Sequence, residues 1–300
     1  MSRAESLFSE FASKYEGTGL VEAVAVADGD SVIAEHRYVF DRPRCVFSHA
    51  KSFGSTGIGI AADEGLIGLD EKLADLYPEY VTDGTDPTVS DITLKDLLTM
   101  RSGFGKPYLM GNTRGEAGLD WIKYMFSQKH PEKPGERFEY SNADTFLATC
   151  MLEKRIGRSL QSYLFEKLFE PCEIVYPAWE TSPRGHTMSA TGLYLRLRDQ
   201  LKRGQIYLNG GPWRGRRIVS REWTLEASSP KVGTFDDGGS YGYQFWIYPD
   251  GFGGAYRADG AYGQLTVVKP SSGLIISIQS PENGDFSRVN VDFKELVKAL

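Results

Sequence analysis

The stretch VFSHAKSFGSTGIGIAADEGLI, residues 46–67, decides which fold the chain adopts. Its closely spaced glycines are typical of a loop that cradles a phosphate group. Its Ser48 and Lys51 are three positions apart, so a helix would place them on one face, about one turn apart. The first interpretation predicts a nucleotide-binding loop. The second predicts a helix that carries a nucleophile beside its base.

The nucleotide interpretation fails on order and context. A dinucleotide-binding loop needs G-x-G-x-x-G between a buried strand and a helix, within repeated strand–helix–strand units. Here the order is G-S-T-G-I-G, and the preceding FDRPRC (40–45) is polar and broken by Pro43, so it makes a poor buried strand. The segment GFGKP at 103–107 lacks the spacing and the Ser or Thr of a phosphate loop.

The helical interpretation has a physical cost and a chemical use. Each interior glycine costs about 1 kcal/mol relative to alanine, which close packing against neighbouring elements can offset. The Ser48 hydroxyl needs a base, and a lysine can serve when burial or a nearby positive charge lowers its pKa. Ser-x-x-Lys alone is weak, because Ser228–Lys231 repeats it around Pro230. On its own, it would indicate a capping serine and a surface lysine.

Composition excludes several classes of protein. The 300 residues are 41% hydrophobic and 25% charged, an ordinary globular balance, and the net charge of −6 without a strong basic run argues against nucleic-acid binding. No segment is apolar enough to span a membrane, and MSRAESLFSEFASKYEG (1–17) has helical rather than signal-peptide character. Three cysteines without paired spacing suit a reduced, cytoplasmic protein. Metal-binding histidine or cysteine pairs are also absent from the sequence, so we expect no metal and no cofactor.

The two ends of the chain predict one antiparallel sheet. In VEAVAVADGDSVIAEHRYVF (21–40), two apolar runs flank Asp28-Gly29-Asp30, which predicts a β-hairpin. AYGQLTVVKPSSGLIISIQS (261–280) predicts a second hairpin with its turn at 270–273. Helices at both termini and a mostly helical middle complete an α/β (α+β) fold, in which the helical part is inserted between sheet strands.

Four helices are predicted in the middle of the chain. The first, at 93–103, has Thr93 as its cap and Gly103 as its end, and the second ends at Gly157. The third is stopped by Pro171. The segments of the four helices are TLKDLLTMRSG (93–103), NADTFLATCMLEKRIG (142–157), SLQSYLFEKLFEP (159–171) and ATGLYLRLRDQLKRGQIYLNGG (190–211).

In this order, the segments resemble the serine β-lactamase and penicillin-binding-protein-like superfamily, of which Ser-x-x-Lys is a signature. The resemblance points in particular to class C β-lactamases, their esterase relatives and 6-aminohexanoate-oligomer hydrolases. It extends over nearly the whole chain from Val24, and it implies a β-lactamase/transpeptidase-like fold in a single domain, 1–300. The sheet part is then about 1–47 and 215–300, and the helical part about 48–214. The segments that carry the resemblance are 47–80, 92–104, 133–171, 194–223, 241–248 and 256–278.

The resemblance also implies catalytic roles. Ser48 would be the acylated nucleophile, and Lys51 would accept its proton or tune Tyr140. Tyr140 would act as base and then as acid, and Asn142 would hydrogen-bond the substrate's carbonyl or amide. The backbone N–H groups of Ser48 and Ala261 would form an oxyanion hole, which can lower the barrier by several kcal/mol.

The tyrosine motif needs its context. Tyr-x-Asn occurs twice, at Tyr140 and at Tyr207. Tyr140 is preferred because it follows KPGERFE (133–139), as in the family's motif.

The third motif departs from the family. Where the family often has Lys-Thr-Gly or His-Thr-Gly, this chain has Ala258-Asp259-Gly260. The lysine that binds a carboxylate is missing, and Asp259 would repel an anionic substrate if it faces the site. With Gly260 and Ala261 we predict Asp259 as a substrate-binding residue. Alternation along the strand turns Arg257 to the face opposite Ala258, so Lys51 must supply most of the positive charge that a tyrosine base needs.

A Ser-His-Asp triad is not indicated. His49 neighbours Ser48 but points about 100° around the helix, so it is not placed to serve as the base of such a triad. The family analogy puts His186 near the cleft, although a structural or solvent-facing histidine is the preferred interpretation.

The sequence therefore predicts a serine hydrolase that forms an acyl-enzyme with a neutral or cationic small-molecule ester or amide. It predicts weak or absent β-lactamase activity and no nucleic-acid or membrane partner. One alternative is a β-lactamase or D-Ala-D-Ala carboxypeptidase, and another is a catalytically silent binding protein on the same fold. The natural substrate and the oligomeric state stay open at this level.

Overall fold

Two hairpins, one from each end of the chain, pair with each other in the middle of the main sheet. The computed structural model describes residues 2–175, 177–234, 238–282 and 284–300. Its main sheet is antiparallel, with eight strands in the order β2-β1-β12-β11-β10-β9-β8-β7. The strands in chain order are β1 Ala23–Asp28, β2 Ser31–Arg37, β3 Arg44–Cys45, β4 Tyr194–Leu195, β5 Pro212–Trp213, β6 Arg216–Arg217, β7 Val232–Gly233, β8 Ser240–Tyr241, β9 Trp246–Ile247, β10 Tyr256–Gly260, β11 Gln264–Lys269 and β12 Leu274–Gln279.

The helices pack around this sheet. Most of them lie in the middle of the sequence. They are α1 Arg3–Lys14, α2 Ala50–Asp63, α3 Leu73–Leu76, α4 Leu94–Leu98, α5 Trp121–Phe126, α6 Asn142–Ile156, α7 Leu160–Leu164, α8 Leu197–Leu208, α9 Arg221–Ala227 and α10 Ser287–Ala299. Within the described ranges, none of them is both long and apolar enough to cross a membrane.

The predicted hairpins and their pairing are confirmed. β1 and β2 join at the Asp28-Gly29-Asp30 turn, and β11 and β12 join across 270–273. β1 then pairs with β12 in antiparallel register, with Val26 opposite Ile276. Both ends of the chain therefore build the centre of the sheet, and the shorter strands β7, β8 and β9 extend it beyond β10.

The central strands are buried on both faces, which explains their nearly continuous apolar sequence. Val24 and Val26 of β1 point into a cluster with residues of α1 and α10. Ala23 and Ala25, which alternate with them, belong to the larger cluster that contains residues of α2, α6 and α8. The sheet is thus covered by the terminal helices on one side and by α8 and the helical part on the other.

Two of the helix ends predicted from capping residues are confirmed. Thr93 and Asp96 form a reciprocal capping box at the start of α4. Gly157 ends α6 in the left-handed conformation, with φ 68°. α4 ends at Leu98, with Thr99 as its C-cap, rather than at the predicted Gly103, because Met100 adopts φ 58° and turns the chain out of the helix.

Two predicted helices are shorter than expected. The segment 190–211 becomes helical only from Leu197, because Tyr194–Leu195 pairs as β4 with β3 just before the 46–67 stretch. A tertiary strand pairing overrides local helix propensity here. The segment 159–171 contains α7, followed by a π-helical turn at Phe165–Phe169 that ends before Pro171.

Candidate active site

Ser48 lies in a 3-10 turn, Phe47–His49, that runs directly into α2. In a 3-10 turn, side chains three positions apart eclipse each other. Lys51, in the first turn of α2, is therefore held over Ser48, and its Nζ lies 3.2 Å from Ser48 Oγ. The helix predicted within 46–67 is confirmed over Ala50–Asp63, although Ser48 precedes it in a tighter turn and residues 64–67 follow its end.

The glycines of α2 allow close packing on several sides. A Cβ at Gly59 would lie 2.4 Å from the Trp223 ring, and one at Gly57 would lie 2.6 Å from Leu160. These contacts account for the glycine-rich pattern without a phosphate loop. They also fix a helix that is buried over most of its length.

Lys51 is a buried side chain whose amine has three oxygen contacts. Its Nζ lies 3.2 Å from Ser48 Oγ, 2.6 Å from Asn142 Oδ1 and 2.8 Å from the Ala190 carbonyl oxygen. Burial, and then the charge of Arg114, holds the pKa of Lys51 well below its usual value. A neutral amine has two N–H donors and one lone pair. It can therefore donate to Asn142 and Ala190 and offer its lone pair to the Ser48 hydroxyl.

Tyr140 completes a contact group with Ser48 and Lys51. It lies in the extended segment before α6, where Ser141 caps the helix, and its ring centre is 4.9 Å from Lys51 Nζ. Burial raises the pKa of Tyr140, and the charge of Asp259 raises it further. The hydrogen bond that joins Tyr140 to Ser48 acts in the opposite direction. The phenol therefore remains protonated at neutral pH and is suited to donating a proton.

The Asn142 amide joins Lys51 to a neighbouring loop. Its Oδ1 accepts from Lys51, and its Nδ2 donates to the Leu109 carbonyl at 3.1 Å. Leu109 has φ 55°, so this loop carries strain at the point where it meets the site. Asn142 holds the lysine in this structure, and its contact with substrate stays a prediction.

Gly260 brings the end of β10 against residues 46–49, which carry Ser48 and are called the nucleophile turn from here on. A Cβ at Gly260 would lie 2.1 Å from the Val46 carbonyl oxygen, which no other residue could accommodate without moving one backbone away from the other. Val46 is two residues before Ser48, and Ala261 directly follows Gly260. The two backbone segments that carry the predicted oxyanion-hole amides are therefore adjacent.

Two aromatic residues with unusual backbone angles flank these segments. Phe47, directly before Ser48, has φ 46°, and Tyr262, directly after Ala261, has φ 59°. Their rings meet edge to face with centroids 5.2 Å apart. Positive φ at bulky residues costs energy and persists where the surroundings impose it, as at catalytic turns.

Successive side chains of β10, the strand that carries the third motif, point to opposite faces of the sheet, as predicted. Ala258 is buried, whereas Arg257 and Asp259 share the other face and are partly exposed. Arg257 Nε donates to Asp259 Oδ2 at 2.7 Å. The Asp259 carboxylate, which was predicted to act on a substrate's charge, is thus ion-paired within the strand.

A buried arginine beneath the nucleophile turn was missed by the sequence analysis. Arg203 of α8 is 1% exposed, and its Nη2 lies 3.3 Å from His49 Nε2. His49 Nδ1 lies 3.2 Å from the Gln264 carbonyl, which can only accept, so this nitrogen carries the hydrogen and Nε2 accepts from Arg203. Burial lowers the pKa of Arg203 to about 10. The guanidinium packs 5.1–5.6 Å from the ring centres of Phe53, Tyr207 and Phe245.

This chain of contacts links α8, the nucleophile turn and the start of β11. In the sequence, Arg203 is one of several basic residues between 196 and 203, so nothing distinguishes it from surface charges. His186, in contrast, lies 2.7 Å from Glu153 and lines a surface pocket, as a structural histidine would. Among the described residues, no cluster of three or more His, Cys, Asp or Glu is arranged to hold a metal ion.

Asp144, two residues after Asn142, is a buried carboxyl that titrates near neutrality. Ser102 donates to it through Oγ at 2.8 Å and through its backbone N–H at 3.3 Å. Burial raises the pKa of Asp144 to about 8, and the charges of Asp96 and Glu139 act in the same direction. The folded state therefore holds this proton between about pH 4 and pH 8, where the unfolded chain releases it.

Asp144 should make the folded state less stable as pH rises towards 8. Because the folded state binds one more proton than the unfolded state, the free energy of unfolding should fall by up to ~1.4 kcal/mol per pH unit across that window. In Asp144→Asn this part of the pH dependence should disappear, so urea unfolding at pH 6 and pH 8.5 should differ less than in wild type. Equal pH dependence in both proteins would contradict the assignment.

An antiparallel sheet covered by helices on both faces, with a serine, a buried lysine and a tyrosine in contact at the end of β10, defines the class of serine hydrolases that use Ser-x-x-Lys. The model of the Beta-lactamase family matches residues 5–299, and the chain belongs to that family. It is a serine hydrolase of the β-lactamase and penicillin-binding-protein superfamily.

Individual relatives are distant in sequence. The chain is 24% identical over 285 residues to the 6-aminohexanoate-dimer hydrolase of Paenarthrobacter ureafaciens, across 85% of this chain and 71% of that protein. It superposes on EstCE1, a hydrolase with promiscuous acyltransferase activity, with a TM-score of 0.79 and 14% identity over 99% of this chain and 100% of the other. A penicillin-binding-protein homologue from Caulobacter crescentus gives a TM-score of 0.76 and 17% identity over 99% of this chain and 97% of the other.

Proposed function

We propose that this chain hydrolyses carboxylic esters or small amides through an acyl-enzyme on Ser48, with weak or no β-lactamase activity. The observation that carries the proposal is the contact set of Lys51. Two of its three oxygen neighbours, Asn142 Oδ1 and the Ala190 carbonyl, can only accept. The third is the Ser48 hydroxyl oxygen, which accepts from Lys51 Nζ. When Lys51 is deprotonated, the same contact lets the hydroxyl donate to the lone pair of the amine.

In the acylation step, Lys51 Nζ takes the proton of Ser48 as Oγ attacks the substrate carbonyl carbon. The resulting oxyanion accepts hydrogen bonds from the backbone N–H groups of Ser48 and Ala261. The tetrahedral intermediate then breaks its bond to the leaving alcohol or amine. The leaving atom takes a proton from Tyr140, and the Lys51 ammonium returns one to the tyrosinate.

Deacylation uses water as the nucleophile and Lys51 again as the base. Lys51 accepts a proton from water as the hydroxide attacks the acyl carbon, and the acid product forms when the bond to Ser48 Oγ breaks. The ammonium of Lys51 then returns the proton to Ser48. The lowered pKa of Lys51 and the raised pKa of Tyr140 suit these roles, because the first shift favours the neutral base and the second favours the protonated acid.

The preference for substrates without a carboxylate rests on the third motif. Ala258 offers no cation in place of the family's lysine. Asp259 carries the opposite charge, and it is ion-paired with the neighbouring Arg257. A β-lactam or peptide carboxylate would therefore lose the partner that binds it elsewhere in the superfamily. The relative's action on a 6-aminohexanoate dimer supports a small amide as an alternative to an ester.

The test combines turnover with covalent labelling. Short-chain nitrophenyl esters should be hydrolysed, a chromogenic cephalosporin should be hydrolysed poorly, and a fluorophosphonate should add one label that intact mass and peptide analysis place on Ser48. Ser48→Ala should lose the label. Tyr140→Phe should reduce ester kcat/KM by about a hundredfold, because the leaving group loses its acid.

The chain supplies matched controls for each motif. Ser228→Ala tests the second Ser-x-x-Lys, and Tyr207→Phe tests the second Tyr-x-Asn. Both should keep the label and most of the ester activity. Rapid cephalosporin turnover would favour the β-lactamase or carboxypeptidase alternative. A folded wild type with neither turnover nor label would favour a silent binding protein.

A further inference from the structure

Arg257 and Asp259 form an ion pair on the partly exposed face of β10. Arg257 Nε lies 2.7 Å from Asp259 Oδ2, and the two side chains are 14% and 34% exposed. The guanidinium lies over the Tyr248 ring at 4.4 Å and over the Trp246 ring at 5.6 Å, and it also hydrogen-bonds Tyr248. Aromatic packing on a planar guanidinium restricts its movement, so the ion pair is held in one geometry.

The pair is close enough to the reacting group to act on it. Trp246, which packs on Arg257, has its ring centre 5.3 Å from that of Tyr140. Trp246 lies directly opposite Arg257 in the pairing of β9 with β10, so Arg257 and Asp259 share the face of the sheet on which Trp246 contacts Tyr140. Because Asp259 is the more exposed partner, its negative charge is the one that a substrate meets first.

We propose that Arg257 is a specificity-determining residue: by pairing with Asp259 it cancels the negative charge on this face of β10 and keeps the site selective for neutral acyl compounds. This inference rests on the proposed function. It narrows the expectation of neutral or cationic substrates to neutral ones, because the carboxylate that would attract a cation is already neutralised by its neighbour in the strand.

The test is a charge-selectivity series with variants of the pair. Nitrophenyl esters of matched size carry a methyl, trimethylammonium or carboxylate group on the acyl chain, and a second set carries these groups on the leaving alcohol. Arg257→Met leaves Asp259 unpaired, so the ratio of kcat/KM for cationic over neutral esters should rise about five- to tenfold, and that for anionic esters should fall.

Companion variants separate charge from packing. Arg257→Lys should restore most of the wild-type ratios, because it keeps the charge. Asp259→Asn removes the carboxylate from the pair and should shift the ratios towards anionic esters, which tests the pair even if Arg257→Met does not fold. The double variant should return towards the wild-type ratios. Arg214→Met removes an arginine that also pairs with a carboxylate and packs on a tryptophan, and it should change no ratio.

The outcomes distinguish this inference from the proposed function. Ester turnover with unchanged ratios in Arg257→Met and Asp259→Asn would overturn the inference and leave the hydrolase proposal standing. A wild type that turns over no ester and takes no label at Ser48 would overturn both.

Discussion

Replacement of Lys51 by methionine should reduce ester kcat/KM by about a thousandfold or more, because it removes the base that accepts the Ser48 proton. Methionine has nearly the length of lysine and fills a buried site, but its thioether cannot take up the proton. The loss should lie in acylation, since Lys51 Nζ lies 3.2 Å from Ser48 Oγ. A stopped-flow measurement of the first nitrophenol turnover reports that step directly.

Lys51→Arg separates a base from a fixed positive charge. An arginine keeps the cation near Tyr140 but does not release its proton in this pH range. If Lys51 serves as the base, the arginine variant should be about as inactive as the methionine variant. Recovery of acylation in Lys51→Arg would instead show that positive charge is what the site requires. Lys231→Met, in the second Ser-x-x-Lys, is the matched control and should retain wild-type acylation.

The pH profile gives an independent check on the same assignment. The active form has neutral Lys51 and protonated Tyr140, so kcat/KM should rise with pH through the lowered pKa of Lys51. Because the pKa of Tyr140 is raised above its usual value of about 10, we expect no alkaline loss of activity below that pH. An alkaline limb near pH 8 would contradict the protonated tyrosine.

Local patterns were sufficient to predict the elements whose causes are local. The two hairpins follow from apolar runs around turn residues, and the end of α6 follows from Gly157. The contact between Ser48 and Lys51 follows from their three-residue spacing. In each case, the responsible residues lie within one turn or one hairpin of each other.

Features that depend on distant contacts were not predictable from the sequence. The start of α8 at Leu197 depends on β4 pairing with β3, about 150 positions earlier in the chain. The burial of Arg203 depends on α2, α8 and the β9 region meeting around its guanidinium. The third contact of Lys51, with the Ala190 carbonyl, belongs to a segment that carries no motif. Such side chains acquire their roles from tertiary packing alone.

Gly260 contacts a segment far away in the sequence, and this contact also positions the proposed oxyanion donors. Gly260→Ala should lower the free energy of unfolding by about 1–3 kcal/mol, because the added Cβ would lie 2.1 Å from the Val46 carbonyl oxygen. This neighbour is backbone, so no side-chain rotation can relieve the overlap. β10 must move away from the nucleophile turn, or the turn must move away from β10.

That displacement should reduce activity further than the loss of stability explains. The proposed oxyanion donors belong to Ser48 and Ala261, one on each of the two segments that would separate. A shift of about 1 Å between groups that must converge on one atom can cost about a hundredfold in rate. We therefore expect kcat for esters to fall about a hundredfold in folded Gly260→Ala, measured well below its unfolding temperature.

The control is a glycine in the same sheet whose added Cβ meets nothing. Gly233 of β7 has open space around the position of a Cβ, so Gly233→Ala should keep both stability and kcat. Fluorophosphonate labelling then separates the two possible causes of a loss in Gly260→Ala. If the oxyanion donors have moved apart, labelling of Ser48 should slow in parallel with kcat, since the phosphonyl transition state uses the same donors. Unchanged labelling and turnover in a folded Gly260→Ala protein would place the oxyanion hole elsewhere.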